Sequence, residues 1–364
     1  MFMKIGLVGL PLVGKTTFFN LLTHAHAETS SFASGRVASN MGSAKVPDHR
    51  IDFLSHMYKP KKTTYAMIDF IDVPGLVSGA STGKGAGNQF LEDIRKVDAL
   101  VHIVRSFENG DVQHADGSID PMRDIETVSL ELLFADLGII DNRITRIEGG
   151  KKVTKENLAE LEVLKKCKEG LENGLLLHQI KLGDEERELL KTFSFLSEKP
   201  MILAVNIDEA ALRADTYPQK DEISKYLRER NVPLIEVCAK SEMEISELEE
   251  EDRAMFMEEL GIKRSGIDVL AGTSYDYLGL ISFLTAGEDE VRAWTIRKGS
   301  DAKKAAGKIH SDIERGFIRA EVVKFKDLEE LGSMHKVKEK GLYRLEGKEY
   351  IVHDGDIINF RFNV

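Results

Sequence analysis

The sequence predicts an α/β fold, a doubly wound and mostly parallel sheet interrupted by an inserted helical hairpin and followed by a smaller β-rich domain. Three observations predict it. Short apolar runs, each bounded by turn or charged residues and followed by helical sequence, recur as far as Val237. One of them, Lys4-Ile5-Gly6-Leu7-Val8, leads directly into a glycine-bounded loop. The texture then changes twice, to long charged helical stretches after Ile125 and to β-type segments after Gly279.

The strands of the predicted sheet are 4–8, 66–71, 99–104, 201–205 and 234–237, with a helix over 17–22 following the first. Helices over 126–146 and 155–170, with Glu and Lys filling the polar positions, read as a hairpin inserted in the core. In the tail, strands are predicted at 291–296 and 357–362 around a helix over 301–309. The expected domains are therefore 1–124 with 198–278, an inserted arm over 125–197, and a tail domain over 279–364.

A chain of 364 residues is too long for one compact core. Its formal net charge of −11 argues against nonspecific coating of nucleic acid, DNA included, although the part from Val291 onward carries about +4 and leaves a local RNA-facing surface open. Nothing approaches the roughly 20 apolar residues of a membrane span, and residues 1–8 show no basic leader, so a cytoplasmic location is expected. Cys167 and Cys238 stand apart with no Cys or His neighbours, which suggests neither a disulfide framework nor a zinc site.

Gly9-Leu10-Pro11-Leu12-Val13-Gly14-Lys15-Thr16 satisfies G-x-x-x-x-G-K-[ST] between a predicted strand and a predicted helix. The glycines let backbone amides, from Leu12 through Thr17, turn inward on phosphate oxygens at a helix start. Lys15 is expected to neutralise the β and γ phosphates, and the Thr16 hydroxyl to hold Mg²⁺. Asp72-Val73-Pro74-Gly75 closes a later strand, which places Asp72 as a second magnesium contact and the Gly75 amide as a sensor of the γ phosphate. Asn206-Ile207-Asp208-Glu209 stands where guanine-specific enzymes carry Asn-Lys-x-Asp. With Ile207 for the lysine and Glu209 for the aspartate, the paired hydrogen bonds to guanine are displaced, so ATP becomes plausible beside GTP. Ala239 and Lys240, after the strand 234–237, could offer backbone amides to the base.

Taken together these motifs resemble the YchF/OLA1 group of Obg-related P-loop NTPases. The resemblance extends over Gly79-Ala80-Ser81, Gly87-Asn88-Gln89-Phe90-Leu91, the run Ala99 through Arg105, Ile119-Asp120-Pro121 and Asp124-Ile125-Glu126-Thr127, and so over essentially the whole chain. It implies that the tail is a TGS domain, a ubiquitin-like β-grasp unit. It also implies ATP favoured over GTP and a link to ribosomes and stress responses, with the arm and the tail as contacts. Leu76 occupies the place of the water-positioning glutamine of small GTPases, and a leucine cannot orient water. The resemblance assigns catalytic help to His114 instead, a residue that otherwise reads as an exposed loop histidine. Two departures stand out. Leu12 replaces an asparagine that helps hold a monovalent ion in related enzymes, which weighs against K⁺ stimulation. Arg36 falls where the first switch carries a threonine. The expected activity is slow, magnesium-dependent NTP hydrolysis that orders two switches, 30–41 and 76–87; the competing expectation is a nucleotide-binding scaffold with little turnover.

Overall fold

The computed structural model describes residues 3–25, 39–76, 86–110, 114, 117–150 and 154–363. The chain forms two compact units that are not contiguous in sequence. The first combines Met1–Ser43 with Asp69–Leu270, and the second combines Ala44–Ile68 with Ala271–Val364. Residues 44–68 and 271–278, both expected within the nucleotide-binding domain, thus pack with the tail.

The first unit is built on a sheet of order β2-β4-β1-β5-β6-β7. Its strands are β1 (Lys4–Val8), β2 (Asn40–Lys45), β4 (Met67–Asp72), β5 (Ala99–Ser106), β6 (Met201–Ile207) and β7 (Leu234–Val237). β1 runs parallel to β4 and β5, and β5, β6 and β7 continue the parallel set. All eight residues of β5 are buried, as required of a strand covered on both faces. The strand order reverses about β1, so the loops after β1, β4, β5, β6 and β7 emerge at one sheet edge, the usual ligand position in doubly wound sheets.

The arm leaves after β5. Asp120 caps the helix Pro121–Glu148 by accepting from the Arg123 amide, and Pro121 sits in the first turn where no amide partner is needed. This helix begins earlier than expected for that reason. Thr154 caps the returning helix, Lys155–Glu172. Ile140, Ile144 and Ile147 of the first helix pack against Leu164, Cys167 and Leu171 of the second, one apolar stripe on another. At the arm's root the fully buried carboxylate of Asp136 accepts from the amides of Leu196 and Ser197 at 3.0 and 2.8 Å and from the Ser197 hydroxyl at 2.7 Å. Burial still pushes its pKa above the ordinary carboxylate value.

The second unit carries a sheet of order β11-β10-β12-β8-β9-β3. β8 (Leu280–Ala286) and β9 (Glu290–Arg297) form a hairpin, the helix Ala302–Ile309 crosses over, and β10 (Phe317–Lys324), β11 (Arg344–Glu346) and β12 (Asp356–Phe362) complete the sheet, with β12 parallel to β8. This is the β-grasp arrangement. Small side chains, Ala302, Ala305 and Ala306, let the helix lie close to Phe283, Val322 and Phe360. β3 (Lys62–Thr64) adds a sixth strand beside β9. The helix His49–Tyr58 is pinned to the tail by Arg50, which pairs with Asp48 at 2.8 Å and with Asp354 at 2.6 Å. Among the described residues no helix is long and apolar enough to cross a membrane. Both cysteines are free and buried.

Candidate nucleotide site

The loop between β1 and the helix Lys15–Thr23 is shaped by two close approaches. A side chain at Gly9 would place its Cβ 2.5 Å from the Ile103 carbonyl oxygen. At Gly14, where φ is 94°, a Cβ would run into the amide nitrogen of Asn206. Glycine is required at both positions for the loop to lie against β5 and β6 and turn the first helical amides outward as an anion nest. Leu12 has φ of 63°, in the left-handed region that suits asparagine better than leucine.

Asp72, buried at the end of β4, gathers the two reactive side chains of the loop. Its Oδ1 takes the Lys15 ammonium at 2.9 Å and its Oδ2 accepts the Thr16 hydroxyl at 2.9 Å. A hydroxyl and a carboxylate oxygen this close form a hard oxygen pair, the donor chemistry that suits Mg²⁺ and leaves its remaining positions to phosphate and water. Among the described residues no group of three or more His, Cys, Asp or Glu comes together as a metal cage. Beyond Asp72 the chain passes Gly75, which packs on Pro11, to Leu76. The Leu76 amide donates to the Gly9 carbonyl at 3.0 Å and its side chain is fully buried, so nothing at this position can direct water.

Beside the loop lies a cavity of about 960 Å³, bordered by Leu12, Gly14 and Thr17 on one side and by the segments after β5, β6 and β7 on the others. Asn206 braces it: its Nδ2 donates to the Val13 carbonyl at 3.0 Å while its Oδ1 accepts from the Ala239 amide at 3.2 Å. The Ala239 amide expected to serve the base is thereby occupied within the protein, and the Asn206 side chain holds two walls together. Ile207 borders the cavity but belongs to the core cluster with Val205, Tyr217 and Leu227. Asp208 caps the helix Glu209–Ala214 through the Ala211 amide at 2.8 Å. Glu209 and Lys240 both reach the cavity, the latter with an exposed ammonium 3.9 Å from Glu244.

His114 is placed differently from the exposed loop expected for it. Its ring is buried, with Nε2 3.0 Å from Oδ2 of Asp124, and it does not border the cavity. The carboxylate's other oxygen accepts from Nε and Nη2 of Arg123 at 3.2 and 3.0 Å. A buried carboxylate needs such partners, which explains why the ring is drawn inward. Arg36, most of the first switch and residues 77–85 of the second lie outside the described residues.

The comparisons with known proteins agree over the full length. The "Ribosome-binding ATPase YchF" of Bacillus subtilis is 46% identical over 367 residues, covering 100% of both chains. The protein of the same name from Escherichia coli O157:H7 is 42% identical over 365 residues, covering 99% of each. The chain belongs to the YchF family. A family model described as a 50S ribosome-binding GTPase matches residues 4–135, and the YchF C-terminal model, described as a protein of unknown function, matches residues 280–363. The solved structure of the Schizosaccharomyces pombe YchF GTPase, 31% identical, superposes with a TM-score of 0.85 over 99% of this chain and 97% of that one. The resemblance seen in the sequence is therefore correct, and the first unit of this YchF family member is a P-loop NTPase.

Several bordering residues of the YchF site escaped the sequence motifs. Phe107, Glu108 and Asn109 follow β5, while Met243 and Glu244 come from the helix Ala239–Ser246. Phe107 carried a usable signal, an aromatic residue just past a strand's carboxyl end. Met243 and Glu244 carried none, because only the turn of that helix brings them to the cavity.

Proposed function

We propose that this protein binds ATP, and GTP less well, with Mg²⁺ held between Thr16 and Asp72, and hydrolyses it slowly as a nucleotide-dependent switch. The observation that carries the reading is the meeting of Lys15 and Thr16 on the Asp72 carboxylate beside a cavity large enough for a nucleoside. Lys15 would neutralise phosphate charge and bound magnesium would polarise the phosphoryl oxygens. Adenine is favoured because the one aspartate of Asn206-Ile207-Asp208-Glu209 is committed to capping Ala211, and buried Ile207 offers no lysine stem to a guanine ring. Base contacts then fall to Phe107, Glu209 and backbone groups near Lys240. Gly75, three residues past β4, would sense the γ phosphate, and His114 is assigned to the hydrolytic step.

The relatives named as ribosome-binding ATPases support a ribosome-linked, cytoplasmic role for this chain, with the arm and the β-grasp tail as contacts for ribosome or RNA. A scaffold with little turnover is the second reading, and buried Leu76 together with the inward position of His114 favours it. Equilibrium titration and single-turnover hydrolysis with Mg²⁺, beside Lys15→Ala, test both. Product formation lost with Lys15→Ala supports the switch; nucleotide affinity without product supports the scaffold; affinity and activity indifferent to Lys15 overturn the site.

A further inference from the structure

We propose that Arg105 is a positioning residue for the purine base, holding Phe107 from behind as a rigid stacking plate; the proposal rests on the nucleotide reading of the cavity. Arg105 is the penultimate residue of β5 and is 2% exposed. It grips Phe107 in two ways at once. Its Nε donates to the Phe107 carbonyl at 3.1 Å, and its guanidinium carbon lies 4.5 Å from the centre of the Phe107 ring. Phe107 itself borders the cavity and the cation covers one face of its ring, so a stacking base would take the opposite face.

Burying a guanidinium is costly and calls for a compensating interaction. Asp124 supplies the opposing charge, and burial nonetheless draws the Arg105 pKa below its ordinary value. A residue needed only to neutralise Asp124 could be a lysine. The planar fork is used here for what a lysine cannot do, stacking on a ring while its Nε holds the backbone. A ring fixed in advance loses less freedom when a base stacks on it, which raises affinity. The register strengthens the case: Arg105 lies directly across from Asn206 in the β5–β6 pair. Asn206 braces the Ala239 wall of the cavity and Arg105 braces the Phe107 wall, so one level of the sheet sets the width of the base slot.

Titrations of the full chain with Mg-ATP and Mg-UTP separate this role from a merely structural one, because a pyrimidine stacks less well than a purine. Arg105→Lys, which keeps the charge facing Asp124, is expected to weaken ATP binding about 3- to 10-fold and UTP binding less than about 2-fold. Phe107→Leu should do the same, and the double variant should be no weaker than the weaker single one. Equal losses for ATP and UTP, an unchanged ATP affinity, or additive losses in the double variant would each overturn the proposal. A wild-type chain that binds no nucleotide, or a Lys15→Ala chain that binds it undiminished, would instead overturn the nucleotide reading, and this proposal with it.

Discussion

The imidazole of His114 and the carboxylate of Asp124 meet at 3.0 Å in a buried setting, ten residues apart in sequence and at the root of the long arm helix. The contact keeps the ring in the protein interior. If His114 assists hydrolysis, weakening its partner should free it. Asp124→Asn removes the charge from the hydrogen bond, which roughly halves its strength, and single-turnover hydrolysis at saturating ATP should rise severalfold. His114→Ala should lower the rate by about 100-fold. A His114→Ala chain as fast as wild type would remove this residue from the chemistry.

Gly14 should be the least replaceable residue of the loop. An alanine there meets both a φ of 94° and the amide of Asn206, so Asn206 must release Val13 or the loop must move. Gly14→Ala is expected to cost about 1–3 kcal/mol of stability and to abolish ATP binding. Denaturant midpoints and calorimetric titration check the two effects separately.

Leu12 offers the opposite case. Its φ of 63° strains a leucine, and Leu12→Asn should recover about 1 kcal/mol because asparagine tolerates this region. The expected sign is an increase in thermal stability of about 2–4 °C. A lower melting temperature would show that packing of the leucine side chain outweighs the backbone strain.

His102, at the centre of β5, predicts an acid sensitivity. Neither ring nitrogen has a hydrogen-bond partner among the described residues, and burial lowers its pKa from 6.5 to about 3. The folded protein therefore holds the ring neutral while the unfolded chain protonates it. Its contribution is intact above pH 6.5 and is lost as pH falls toward 3, by about 1.4 kcal/mol per unit within that window. His102→Phe should flatten the fall in urea midpoint between pH 6.5 and 4.5. An unchanged slope would assign the acid sensitivity to other groups.

Much of this was legible from residue order. The strands predicted at 4–8 and 234–237 coincide with β1 and β7, because apolar runs bounded by turns can be buried on both faces only within a sheet. The loop at Gly9 and the partner at Asp72 were legible too, because each follows a strand whose carboxyl end faces the ligand edge. The grouping of residues 44–68 with the tail was not, since the contacts that join them, among them Arg50 with Asp354 and β3 beside β9, link positions more than 200 residues apart and leave no local pattern.

By itself the sequence determined the doubly wound sheet, the P-loop and the aspartate that meets it, and the family to which the chain belongs, because these depend on periodicity and on motifs held at strand ends. Tertiary structure alone decided what each polar group is free to do. Asn206 became a brace, Asp208 a helix cap and His114 a buried partner of Asp124, because a buried donor or acceptor takes whatever partner the fold brings within 3 Å or so.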